Sequence, residues 1–75
     1  MNNKNFGVNL KKARCEQGIN QSTLAKMLNV SNGTVGNWES GTRKPDIDML
    51  GNIADALGVS ADYLIGRGDA YFDRE

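Results

Sequence analysis

Residues 20–41 decide the fold: Asn20-Gln21-Ser22-Thr23-Leu24-Ala25-Lys26-Met27-Leu28-Asn29-Val30-Ser31-Asn32-Gly33-Thr34-Val35-Gly36-Asn37-Trp38-Glu39-Ser40-Gly41. Leu24, Ala25 and Leu28 share one helical face, because residues three and four apart lie above one another on a helix. Asn20 offers a side-chain oxygen to the first-turn N–H groups, so the pattern predicts a short helix ending near residue 28. Only Asn29, Val30 and Ser31 intervene before a second run, Asn32 to Ser40, in which Val35 and Trp38 sit three apart on the inward side. Ser31 is its predicted N-cap, and Gly41 closes it where a left-handed residue is needed.

Further helices flank this pair. Upstream, Phe6, Leu10 and Ala13 recur at i, i+4 and i+7, predicting a helix over about residues 5–17 that Gly18 stops. Downstream, the turn Thr42-Arg43-Lys44-Pro45 leads to Asp46, the predicted cap of a helix whose apolar face is Met49, Leu50, Ile53, Ala54 and Leu57 and which Gly58 ends. Ser60 then caps a short helix with Tyr63 and Leu64 inward and Gly66 as its stop. No stretch alternates apolar and polar residues with β-branched enrichment, so the class is all-α: a compact five-helix bundle over residues 1–66. Residues 67–75 read as a tail or the start of a linker, and its adjacent Tyr71 and Phe72 are expected to cover the domain or a second subunit.

At 75 residues, with 39% hydrophobic, the chain suits one core. The single Cys15 excludes an internal disulfide, and without histidine no Cys/His metal site is expected. No nucleophile elbow, phosphate loop or second domain forming a cleft is visible, so neither an enzyme nor a cofactor is expected. The polar start and the lack of a long apolar run point to the cytoplasm. The net charge of zero conceals an asymmetry. Residues 1–44 hold seven basic and two acidic side chains, a balance of +5; residues 45–75 hold two basic and seven acidic, a balance of −5. The basic half is the one that phosphates would attract.

Two helices joined by three residues, the second capped and amphipathic, form the unit that places a helix in a major groove of DNA. The run from Asn20 to Ser31, then Thr34-Val35, Asn37-Trp38-Glu39-Ser40-Gly41, Lys44-Pro45 and Ala54-Asp55-Ala56-Leu57-Gly58-Val59-Ser60-Ala61-Asp62-Tyr63-Leu64, resembles the lambdoid repressor and Cro family, also called the Xre type. The resemblance covers about residues 6–66. It implies a lambda-repressor-like DNA-binding domain that regulates transcription, as a repressor, and pairs with its twin on a double-stranded operator, an inverted repeat.

The resemblance also implies roles for individual residues. Asn32, Gly33, Thr34, Gly36 and Asn37 match base-contacting positions; an asparagine amide pairs with adenine N6 and N7, and the threonine methyl meets a thymine methyl. Gln21 looks like the family's phosphate-clamping glutamine, and Ser31, Arg43 and Lys44 match further phosphate contacts. Arg14 and Glu39 match an internal ion pair that is structural. The chain departs from its relatives at Gly33 and Gly36, which offer no side chain to read bases, so readout there falls to close backbone approach or DNA shape. The competing reading is a protein-interaction module, such as an antitoxin or adaptor, that keeps the fold with weak DNA specificity.

Overall fold

Four side-chain caps set the helix starts in the computed structural model, which describes residues 3–67. Asn20 Oδ1 accepts from Thr23 N at 2.8 Å and Ser31 Oγ from Thr34 N at 3.1 Å. Asp46 Oδ1 accepts from Met49 N at 2.8 Å and Ser60 Oγ from Tyr63 N at 2.9 Å. Each satisfies an N–H that has no partner within its helix and contributes about 1 kcal/mol. They open α2 (Gln21–Leu28), α3 (Asn32–Ser40), α4 (Ile47–Leu57) and α5 (Ala61–Leu64). The first helix, α1, runs Asn3–Glu16. It starts before the residue 5 expected, because polar residues add nothing to an apolar stripe, whose first member here is Phe6. No β-strand occurs among the described residues.

The inward faces meet in one core. Phe6 and Leu10 from α1, Leu24 from α2, Val35 from α3, Ile53 and Leu57 from α4 and Leu64 from α5 are all fully buried, with Trp38 beside them. Truncating such a side chain to alanine typically costs about 2–5 kcal/mol, a large part of the roughly 5–15 kcal/mol that holds a small domain folded.

The turns after α1, α2 and α4 share one device. A left-handed residue, Gly18, Asn29 or Gly58, is followed by an apolar one that folds back on the core. Ile19 N bonds Arg14 O at 3.3 Å, Val30 N bonds Ala25 O at 2.9 Å, and Val59 N bonds Ala54 O at 3.1 Å. Val59 is buried, and Ile19 and Val30 pack against the core, the hydrophobic contact that accompanies such helix ends.

The position of α3 is set by α1. A Cβ on Gly7 would lie 2.4 Å from Glu39 O and 2.6 Å from Trp38 O, so the two helices approach through a site where only glycine fits. Asn9 Nδ2 donates to Tyr63 O at 3.0 Å, tying α1 to α5, and Gln17 Nε2, directly after α1, donates to Leu57 O at 3.0 Å at the end of α4. With α1 so fixed, α3 is held by its inner side while its outer side stays clear.

Candidate nucleic-acid interface

Because Val35 and Trp38 face the core, the opposite side of α3 belongs to Asn32, Gly33, Gly36 and Asn37. Asn32, Gly33 and Asn37 are exposed; Gly36 and Thr34 are half-buried. A Cβ on Gly33 would find Ser31 Oγ at 3.8 Å, and one on Gly36 would find Gln21 Oε1 at 3.9 Å, both ordinary contacts. Packing therefore does not require either glycine, and the outer face between the two asparagines is bare backbone. Thr34 and Ser31 lie at the start of this face with their hydroxyls 2.9 Å apart. The Thr34 hydroxyl is thus engaged locally.

The far end of α3 is joined to the basic turn. Gly41 adopts φ 84°, open to glycine at little cost, and the chain doubles back on the helix. The Asn37 carbonyl then accepts from Thr42 N at 3.0 Å, Arg43 N at 3.2 Å and Ser40 Oγ at 3.2 Å. Arg43 and Lys44 are exposed and line a groove with Thr34, Asn37, Trp38 and Asp46. The boundary between the basic and acidic halves therefore falls inside this turn. Asp48, Asp55 and Asp62 stand exposed on α4 and α5, whereas Lys11, Lys12 and Lys26 stand exposed on α1 and α2.

Behind α3, Arg14 holds Glu39 by a two-pronged ion pair, Nε to Oε2 at 2.6 Å and Nη2 to Oε1 at 3.1 Å. The pair is almost dry, with the side chains 9% and 6% exposed, and Arg14 Nη1 donates also to Ile19 O at 2.9 Å. The hydrogen bond to Glu39 raises the Arg14 pKa above its ordinary value against the opposing effect of burial, so the guanidinium stays charged wherever the fold persists. A third group joins: Gln21 Nε2, on the first residue of α2, donates to Glu39 Oε1 at 3.0 Å.

A helix-turn-helix family profile matches residues 10–64, from α1 through Arg14, α2, the turn, α3 and on to the end of α5. The chain belongs to the Xre-type helix-turn-helix family. It is 37% identical over 68 residues to the SPbeta prophage-derived uncharacterized HTH-type transcriptional regulator YonR of Bacillus subtilis, covering 91% of this chain and 63% of that protein. Among solved structures it is similar to the restriction-modification controller C.AhdI of Aeromonas hydrophila, with a TM-score of 0.77, 29% identity and coverage of 83% and 94% of the two chains. It is also similar to the c2 repressor of Salmonella phage P22, solved in complex with a synthetic operator, at TM-score 0.75 and 34% identity over 79% and 89% of the chains.

In this helix-turn-helix domain the residues singled out from sequence divide into two groups. Asn32, Gly33, Gly36, Asn37, Arg43 and Lys44 come together along α3 and its following turn, and Gln21 reaches the same helix from α2. Arg14 and Glu39 lie behind them, in contact with each other. Lys4, Tyr71, Phe72 and the acidic residues Asp69, Asp73 and Glu75 fall outside the residues whose side chains are described. Sequence reasoning missed Gly7, which sets the distance from α1 to α3, and the bond from Gln21 to Glu39. Neither leaves a periodic trace; the one available sign was a glycine inside an otherwise regular helix, where it lowers helix propensity and so calls for a packing reason. Among the described residues no group of His, Cys, Asp and Glu side chains converges as metal ligands, and no helix is long and apolar enough to cross a membrane.

Proposed function

We propose that this chain is a sequence-specific double-stranded DNA-binding module that regulates transcription as a repressor, without catalysis, in the cytoplasm. The observation that carries it is the exposed outer face of α3, with Arg43 and Lys44 in the turn at its C-terminal end and Gln21, at the α2 N-terminus, beside its middle. In this reading α3 enters the major groove, where Asn32 and Asn37 meet base edges and Thr34 offers its methyl. Gly33 and Gly36 bring the backbone close to the groove floor. Gln21, Ser31, Arg43 and Lys44 grip phosphates on either side. Residues 1–66 form the binding domain and 67–75 a tail or linker. The likeness to an operator-bound repressor supports this reading. The chain spans 63% of the prophage regulator's length, so the control of any particular gene belongs to the proposal as well.

Pairing as a homodimer on an inverted repeat is part of the same reading. It is supported by an apolar surface at the start of α4, where Ile47 is 86% exposed beside Pro45, Leu50 and Ile65.

Selection of bound duplexes from a random pool at near-physiological salt tests the proposal, because non-specific phosphate binding is weak there. Enrichment of an inverted repeat with half-sites about 10 bp apart is expected. If the folded protein enriches no sequence, the reading gives way to a protein-interaction module.

A further inference from the structure

Glu39 sits in the ion pair with Arg14, which by itself explains its burial. Its second bond, to Gln21, is not needed for that. Glu39 Oε1 accepts at once from Arg14 Nη2 at 3.1 Å and from Gln21 Nε2 at 3.0 Å. An ionised carboxylate only accepts hydrogen bonds, so the amide must turn its nitrogen toward Glu39 and its oxygen away. That oxygen lies over Gly36, 3.9 Å from where a Cβ would stand. The carboxylate cannot swing to follow the amide, because Arg14 holds both of its oxygens and is itself anchored on Ile19 O. Gln21 is therefore fixed from behind while it opens α2, where first-turn N–H groups find no carbonyl within the helix. Its Nε2 carries a second hydrogen beyond the one given to Glu39.

We propose that Glu39 is a positioning residue for DNA binding: clamped by Arg14, it presets the Gln21 amide so that the second Nε2 hydrogen is presented to a backbone phosphate at the α2 N-terminus. The inference rests on the reading that Gln21 meets a phosphate. Much of the rotamer freedom that a glutamine loses on binding is then lost before DNA arrives, which favours affinity. Arg14 has a part in this too. An unpaired carboxylate next to the phosphate would repel it, and the guanidinium cancels that charge.

The test is a mutant cycle on the full chain with the selected operator, read as Kd. Two charge-free backgrounds, Arg14→Met with Glu39→Gln and Arg14→Met with Glu39→Met, are each combined with Gln21→Met, and cooperative thermal unfolding is confirmed for all. Removing both members of a buried pair is often tolerated where removing one is not. Glu39→Gln keeps an acceptor oxygen but not the Arg14 clamp, so its background is expected to bind about threefold more weakly than the unmutated chain. Glu39→Met is expected to lose about tenfold, the scale of one hydrogen bond to a charged group. Gln21→Met alone should lose about the same factor, yet cost nothing further once Glu39 is Met.

An equal Gln21→Met penalty in both backgrounds would show Glu39 to be structural only and leave the phosphate contact standing. A Gln21→Met penalty absent from the otherwise unmutated chain would remove the phosphate contact, and the positioning role with it. A measurement on the unmutated, DNA-free protein needs no variant to fold. The side-chain amide of Gln21 is expected to show order close to that of rigid backbone in nitrogen relaxation, and a mobile amide would overturn the proposal.

Discussion

Replacing Gly7 with alanine tests what sets the position of α3. The added Cβ would stand 2.4 Å from Glu39 O and 2.6 Å from Trp38 O, whereas ordinary contact begins at 3.4 Å. The helices must part by about 1 Å to admit it. Both obstacles are backbone carbonyls, which cannot rotate aside as a side chain would, so the strain belongs at or above the upper end of the roughly 1–3 kcal/mol for overpacking. Alanine returns about 1 kcal/mol of helix propensity. The net expectation is a loss of about 2 kcal/mol, or roughly 8–16 °C in melting temperature for a domain of this size. Gly51 supplies the control. It too lies inside a helix, but nothing stands within 4 Å of its Cβ position, so Gly51→Ala should gain up to about 1 kcal/mol. Urea and thermal unfolding of the two variants must therefore move in opposite directions. A Gly7→Ala protein as stable as its parent would refute the close approach as a constraint on the fold.

Glu39→Ala, which strands the buried Arg14 guanidinium, should cost about 3–5 kcal/mol in urea unfolding; less than 1 kcal/mol would mean that Arg14 finds water. Gly33→Ala with Gly36→Ala should raise stability by about 1–2 kcal/mol, since a Cβ at either position makes only an ordinary contact, while weakening operator binding by holding α3 off the groove floor; unchanged binding would show that the bare face has no part in recognition. Asn37→Ala should cost about 1–3 kcal/mol on the selected operator and relax one base position, and an unaltered selected sequence would exclude it as a reader. Arg43→Ala with Lys44→Ala should weaken binding to all duplexes alike and flatten the salt dependence by about two contacts; an unchanged slope removes this turn from the interface.

What could be read from sequence was whatever is decided within a few residues. Asn20, Ser31, Asp46 and Ser60 each cap the helix expected of them, because a cap bonds to an N–H three residues on. The apolar stripes of α1 to α4 mark their buried faces for the same local reason. Arg14 and Glu39 were paired only through family resemblance, since 25 residues separate them and nothing in either neighbourhood points to the other. Gly7 and Gln21 were harder still. One is defined by the backbone of another helix passing over it, and the other by a carboxylate brought near by the fold. Ile19, Val30 and Val59 did leave a trace, an apolar residue directly after each left-handed helix end, and reading that pair as a unit would have put Val59 in the core.

The turn after α3 differs from those three in the residue next to its glycine. Thr42 is polar and exposed, and the start of the loop is bound back onto α3, through the Asn37 carbonyl and a 2.8 Å hydrogen bond between the Thr42 and Ser40 hydroxyls. In the proposed complex, the residue that faces a base and the residues that face the sugar-phosphate strand are thus parts of one stiff piece. Their separation works as a ruler. A duplex whose groove width puts the phosphate out of step with the base cannot be met by bending the loop alone, so it must itself deform, and the ease with which it does so becomes part of what is read.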